Sequence, residues 1–304
     1  MWTEAVLPDQ RGKVVVVTGA NSGLGLQTSR ALAARGARVV MACRDPVRAD
    51  VAARAILAEH PDAHLDVVEL DLADLDSVRA FPERLPQDID AIDVLVNNAG
   101  IMAIPRASTA QGHEMQLGTN HLGHFALTAV LARRLFRKEG SRVVTVSSGM
   151  HWLGSLHLDD LMLHRAYGKW RAYNQSKLAN LLFHHELAAR LAERRHGTVA
   201  VAAHPGLSAT HLQQVGVDRD PTLFNRFVAG FLNRWFAQPA RWGAWPSLFA
   251  ATDPGVVQGA FYGPMFEGWG WPRRTLPSPR SRNADLRARL WAESVRLTGL
   301  DPCP

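Results

Sequence analysis

The 304-residue sequence predicts a doubly wound α/β fold, a parallel sheet of about seven strands with helices on both faces, in a single domain. Three observations carry this reading. Short β-branched runs recur from Gly12 to about Val201, the segments between them hold apolar residues at helical spacing, and a glycine-rich turn directly follows the first run. Near-continuous apolar strands are what a parallel sheet requires, because neither face of such a strand is left to water.

The strands read in order as Lys13 to Thr18 (KVVVVT), Ala37 to Ala42 (ARVVMA), Asp66 to Leu70 (DVVEL), Ile92 to Asn97 (IDVLVN), Arg142 to Ser147 (RVVTVS) and Thr198 to Ala202 (TVAVA). Ala260 to Tyr262 is a candidate seventh. Leu24 to Arg35, Val47 to His60 and Tyr173 to His196 read as intervening helices, with Arg and Glu between their apolar positions. After about Pro205 the rhythm breaks. Pro221 to Ala251 is rich in Phe, Trp and Arg and is cut by Pro239 and Pro246, Trp269 to Pro279 reads as a Pro/Arg-rich loop, and an amphipathic helix from about Asn283 to Leu297 closes the chain. With no repeat and no long linker, one domain spans residues 1–304. Residues 207–280 are expected to form a substrate lid and loop region, and 281–304 the C-terminal helix and tail.

Composition excludes several classes. At 47% hydrophobic and 20% charged, the chain can bury a large core and is not of disordered type. Its two cysteines, Cys43 and Cys303, lie far apart in sequence, which speaks against a disulfide scaffold and for a reducing compartment. No apolar run approaches the roughly 20 residues of a membrane span, and Met1 to Gly12 carries Glu4, Pro8, Asp9 and Arg11 where a signal peptide would be apolar. A cytoplasmic location is the resulting expectation. The net charge of +6 comes from 34 basic and 28 acidic residues, of which only Lys13, Lys138, Lys169 and Lys177 are lysines. Arg273, Arg274, Arg280, Arg282, Arg287 and Arg289 cluster late in the chain, but Asp285 and Glu293 dilute them and no nucleic-acid-binding motif accompanies them, so no nucleic-acid partner is expected.

Two motifs carry chemistry. Gly19, Gly23 and Gly25, spaced GxxxGxG around Ala20, Asn21, Ser22 and Leu24, sit between the first strand and the first helix. Glycines there let the backbone turn tightly and approach a pyrophosphate, and the helix N-terminus faces the negative charge. Three glycines at such a spacing arise by chance about 0.15 times in this composition, so the placement carries the argument rather than the string. The first charged residue after the second strand is Arg44, with Arg48 one turn on; a guanidinium suits the 2′-phosphate of NADP better than NAD, against which the neighbouring Asp45 argues. The second motif is Tyr173-Asn174-Gln175-Ser176-Lys177. With three tyrosines and four lysines in the chain, a YxxxK string is expected about 0.04 times by chance. A phenol with an ordinary pKa of about 10 is a poor proton shuttle at neutral pH, and a cation on the same helix face favours its phenolate. The pair suits proton transfer at a carbonyl or alcohol oxygen while a hydride moves to or from the dinucleotide.

With these motifs the sequence resembles the short-chain dehydrogenase/reductase superfamily of the classical type, over almost its whole length. Thr18 to Gly25 matches that family's cofactor loop and Asp71-Leu72 its acidic pair flanking the adenine. Asn97-Asn98-Ala99-Gly100 matches its NNAG string, and Pro205-Gly206 with Thr210 its PGxxxT element at the nicotinamide amide. Asn120 in GTNHLGHF, Ser148 in VTVSSGM, and Tyr173 with Lys177 match its active-site residues. The strings TAQGHEMQLGTNHLGHFALT, YNQSKLANLLF and ACRD, with FYGP before a last helix, resemble the retinol-dehydrogenase-like branch and its bacterial relatives, a branch commonly linked to NADP. The resemblance implies a Rossmann fold with Tyr173 as general acid/base and Ser148 polarising the substrate oxygen. It also implies that Lys177 holds the ribose and lowers the Tyr173 pKa, and that Asn120, in a disturbed helix, anchors a relay water. Ser148 is preferred to Ser147 because the resemblance places the family's catalytic serine second in the pair, and strand side chains alternate, so only one of the two faces the site. Pairing into a homodimer or homotetramer through helices near Thr109 and Tyr173 is a family expectation.

The aromatic stretch Phe224, Phe227, Phe231, Trp235, Phe236, Trp242 and Trp245 is expected to cover a bulky or lipophilic carbonyl or alcohol. His151, Trp152, His157 and Trp170 are expected in a loop over the substrate side. No metal is expected: His184-His185-Glu186 lacks the second histidine of HExxH, His121 and His124 read as packing or hydrogen-bonding residues, and Asp159-Asp160 as a cap or turn. The competing reading, a catalytically silent NADP sensor, has no chemical need for Asn120, Ser148, Tyr173 and Lys177 together.

Overall fold

A computed structural model describes residues 1–206 and 239–303 of the chain. Its sheet runs in the order β3-β2-β1-β4-β5-β6-β7-β8, formed by β1 (Val14–Thr18), β2 (Arg38–Cys43), β3 (His64–Glu69), β4 (Val94–Asn97), β5 (Arg142–Val146), β6 (Val199–Ala203), β7 (Phe261–Pro264) and β8 (Pro272–Arg274). The first seven are parallel. The winding reverses between β1 and β4, whose register pairs Val15 with Val94 and Val17 with Val96, and in doubly wound sheets ligands bind beyond the carboxyl ends of the strands at that switch point.

The side-chain alternation of the strands builds two cores at once. Val15 and Val17 join Val39, Met41, Val96 and Val144 on one face, while Val16 joins Val40, Leu95, Val143 and Phe125 on the other. The described helices α1 (Gly23–Ala33), α2 (Pro46–Glu59), α3 (Leu75–Arg84), α4 (Gly123–Leu135), α5 (Lys169–Glu193), α6 (Trp245–Thr252) and α7 (Ala284–Thr298) cover these faces. Helix α7 is capped by Asn283, whose side chain accepts the Leu286 N–H, and ends at Gly299 in the left-handed conformation. It packs across α5: Trp291 stacks on Phe183 at 5.9 Å, Arg190 lies 4.5 Å over the Trp291 ring, and Arg287 pairs with Glu186 at 3.0 Å. That part of α5 is therefore covered within the chain.

The sequence reading needs three corrections. The sheet has eight strands, because the segment read as a Pro/Arg-rich loop supplies β8, antiparallel to β7, with Pro272 as the first residue of an edge strand where its missing N–H costs nothing. Helix α5 starts at Lys169, one turn before Tyr173. The lid assignment is also too broad. Residues 207–238, with Phe224, Phe227, Phe231, Trp235 and Phe236, lie outside the described residues, but Leu248, Ala250 and Ala251 of α6 are core, with Trp245 packed against them. These apolar groups pack in the crossover from β6 to β7; Trp242 is exposed.

Candidate active site

The first half of the site is made of backbone. After Thr18 the chain turns through Gly19 at φ +64° and Gly23 at φ +51°, both in the left-handed region that glycine adopts freely. A Cβ on Gly25 would lie 2.3 Å from the Gly19 carbonyl oxygen and 2.6 Å from Asn98 Nδ2, so no side chain fits there. Half-buried Asn21 and exposed Ser22 complete the turn, and Leu24 is buried. Ser22, at the N-cap of α1, makes no side-chain capping bond, and the first turn holds no acidic residue. The uncapped helix N-terminus and the close-packed glycine turn fit a pyrophosphate. Ala20 and Asn21 amides instead face the Cys43 sulfur, and burial pushes that thiol up to about 11, which makes Cys43 a packing group.

Asn98 and Ala99 brace this turn from β4. Their backbone N–H groups both donate to Thr18 Oγ1 at 2.9 Å, and Asn98 Nδ2 donates to the Thr18 carbonyl at 2.8 Å. Beyond β2, Arg44 and Arg48 are exposed, while Asp45 Oδ1 caps α2 by accepting the Arg48 N–H at 3.0 Å. The Asp71 carboxylate accepts from Ala73 N at 2.9 Å and its own N–H donates to Ser77 Oγ. Leu72 is buried, its carbonyl oxygen 2.4 Å from where a Gly123 Cβ would stand.

The second half is made of side chains. Tyr173 and Lys177 share one face of α5, with Lys177 Nζ 5.8 Å from the phenol ring centroid and donating to the Val146 carbonyl at 3.3 Å. Ser147 turns away and donates to the Lys177 carbonyl at 2.8 Å, whereas the Ser148 hydroxyl, which accepts the Met150 N–H at 3.3 Å, lies on the phenol's side. Burial pushes the Tyr173 phenol up to about 12, only partly offset by Ser148, and draws the Lys177 ammonium down to about 8. Burial thus acts against the lowering of the phenol that the family resemblance implies. Nζ lies against the ring rather than at the hydroxyl, and desolvation of both groups outweighs their attraction.

Asn120 belongs to a π-helical turn, Gly118–Leu122, that leads into α4. Its side chain accepts the Ile101 N–H at 2.8 Å and donates to the Ile101 carbonyl and to Ser176 Oγ, both at 2.9 Å. That amide pins the loop after β4, and a Cβ on Gly100 would stand 3.1 Å from Asn120 Oδ1 and 3.5 Å from Lys177 Nζ. Across the crevice, Gly206 at φ +67° packs where a Cβ would meet the Gly268 carbonyl at 2.5 Å, next to half-buried Pro205. Thr210 lies outside the described residues.

Around Tyr173, the Trp170 ring meets the phenol edge-on at 6.2 Å, and Trp152 is half exposed on a short 3₁₀ turn, Gly149–Leu153. His157 instead pairs with Arg171. His151 points inward: its Nδ1 lies 2.6 Å from the Ser148 carbonyl and its Nε2 accepts the Ser278 N–H at 3.1 Å. It thereby ties the serine turn to the segment before α7, a role that no local sequence signal marks. Among the described residues no three His, Cys, Asp or Glu side chains gather as a metal site. His121 bonds Ser294 at 2.8 Å, and Asp160 accepts the N–H groups of His164 and Arg165 in a turn.

A glycine turn at the switch point of a doubly wound sheet, with a tyrosine–lysine helix at the same carboxyl end, defines the class: an α/β enzyme of the dinucleotide-binding type. Residues 13–220 match the short chain dehydrogenase family. Human retinol dehydrogenase 12 is 40% identical over 291 residues, covering 95% of this chain and 87% of that protein, and human retinol dehydrogenase 13 is 37% identical over 301 residues, covering 98% and 87%. The solved structure of an uncharacterized protein from Mycobacterium paratuberculosis superposes with a TM-score of 0.82 at 43% identity, covering 100% of this chain and 99% of that one. The chain belongs to the short-chain dehydrogenase family, oxidoreductases that act on CH–OH groups with NAD or NADP.

Proposed function

We propose that this protein is an NADP-dependent oxidoreductase that interconverts a bulky or lipophilic ketone or aldehyde and its alcohol. The carrying observation is the buried Tyr173 phenol, with Ser148 beside it and Lys177 against its ring, at the carboxyl end of the sheet. When bound, the dinucleotide supplies or accepts the hydride. Gly19, Asn21, Ser22, Gly23, Leu24 and Gly25 would hold its pyrophosphate, Arg44 its 2′-phosphate and Asp71 with Leu72 its adenine. Asn98, Ala99, Gly100, Pro205 and Gly206 would shape the nicotinamide end, and Tyr173 with Lys177 would meet the ribose. Support for NADP is that Asp45 is engaged as a helix cap while the exposed Arg44 and Arg48 have no ion-pair or hydrogen-bonding side-chain partner among the described residues.

In the reductive direction Tyr173 donates its proton to the substrate oxygen. A phenol held near 12 stays protonated across the physiological range and so stays loaded for that step. Ser148 hydrogen-bonds the same oxygen and orients it, and Lys177, charged below about pH 8, stabilises the phenolate left behind. The retinol dehydrogenase names of its relatives and the aromatic edge of Trp170 support a bulky substrate. The same proposal places the protein in the cytoplasm, supported by two cysteines that are free and buried. The test is NADPH oxidation with retinal, decanal and a polycyclic ketone against glyceraldehyde and free sugars. Bulky carbonyls are expected to give at least tenfold higher kcat/KM, about 1.4 kcal/mol of differential binding. Preference for the polar set overturns the substrate class, and tight NADPH binding without turnover of any carbonyl overturns the enzymatic reading.

A further inference from the structure

His124 lies one helical turn beyond Asn120 and is 2% exposed, yet both of its ring nitrogens are partnered. Nδ1 is 3.0 Å from the Asn120 carbonyl oxygen and Nε2 is 2.9 Å from Thr18 Oγ1. These contacts determine the tautomer. A carbonyl oxygen only accepts, so Nδ1 carries the proton, and Nε2 then accepts the Thr18 hydroxyl proton, for which the Val96 carbonyl at 3.3 Å is the longer, competing acceptor. Thr18 Oγ1 in turn takes the Asn98 and Ala99 N–H groups with its lone pairs, leaving nothing in the set unsatisfied. A single neutral ring therefore joins the end of β1, the end of β4 and the π-helical turn.

We infer that His124 is a positioning residue that couples the dinucleotide cradle to the active-site asparagine, one arm fixing the Thr18–Asn98–Ala99 corner and the other fixing the Asn120 carbonyl. Its position on the helix supports this. The π-helical turn disturbs the regular bonding around Asn120, and the ring four residues on supplies a donor to that carbonyl. Burial, with Lys177 nearby, holds the imidazole down at about 4, so it stays neutral and both arms persist through the working pH range. The coupling rests on the proposed NADP-linked reading, but the hydrogen-bond arrangement itself does not.

The experiment separates the two arms. His124→Phe removes both and is expected to raise the NADPH Kd about tenfold and to lower kcat at saturating NADPH about tenfold, the scale of one buried hydrogen bond at each end. His124→Asn keeps a donor where Nδ1 stood, and is expected to recover most of the kcat while leaving Kd raised. His124→Gln keeps an acceptor near Nε2 and is expected to show the reverse split. In the cofactor-free parent, ¹⁵N-histidine NMR is expected to show a neutral ring protonated on Nδ1, assigned by its loss in His124→Asn. An Nε2-protonated ring, or Asn and Gln variants that lower kcat and raise Kd alike, overturns the inference whatever the protein does with a carbonyl. A parent that binds no NADPH overturns the functional reading and leaves the NMR result to decide this one.

Discussion

At the β1–α1 turn the site is made of what side chains leave out, whereas at the head of α5 it is made of what they put in. Around Gly19, Gly23 and Gly25 every functional atom belongs to the backbone, and a single Cβ at Gly25 would meet a carbonyl oxygen at 2.3 Å. Around Tyr173 every functional atom is a phenol, hydroxyl or ammonium, buried deeply enough that the phenol rises to about 12 and the ammonium falls to about 8. The first region is damaged by adding an atom and the second by removing one. His124 touches both, through Thr18 on one side and Asn120 on the other.

Removing the phenolic oxygen gives the sharpest break. Tyr173→Phe should lower turnover by roughly a thousandfold or more while NADPH fluorescence titration shows a Kd near that of the parent; matched losses in both would mean that the two regions are not separable. Adding a methyl group at the other end, Gly25→Ala, should raise the NADPH Kd by about a hundredfold, with the folded state retained in circular dichroism. A Kd within twofold of the parent would show that the loop gives way readily and that the close approach of Gly19 and Asn98 to Gly25 is not required.

The third test uses stability. The folded pKa of Lys177, about 8, lies below its ordinary value of 10.5, so between these values the unfolded chain binds more protons, and raising the pH stabilises the folded state. Relative to Lys177→Met, the cofactor-free parent should gain on the order of 2 kcal/mol in urea unfolding from pH 8 to pH 10. A flat or opposite difference would show that Lys177 is not desolvated. The smallest effect belongs to the exposed end of the cradle: Arg44→Ala should reduce the preference for NADPH over NADH about tenfold in paired Kd measurements, the loss of one charge-assisted contact in water.

Much of this molecule was legible in its linear order. The strand runs, the glycine turn after β1 and the i,i+4 spacing of Tyr173 and Lys177 are local patterns, and each specifies its own geometry through steric freedom, side-chain alternation or helical periodicity. Asn120 and its neighbour His124 also lie four apart, and that spacing was the available signal for the ring that reaches back to the Asn120 carbonyl. What the sequence by itself determined is therefore the class of fold, the order of its elements and the identity of the chemical groups. Only the tertiary structure decided that burial raises the phenol, that His151 clamps the serine turn, and that Trp245 packs against the core. It also decided that Pro272–Arg274 closes the sheet as an antiparallel edge. The raised phenol depends on desolvation and the His151 clamp on Ser278, more than a hundred residues away, and neither is encoded in any short window of the chain; the β7–β8 pair is local, but the run Pro272–Arg274 lacks the β-branched pattern that marks the other strands.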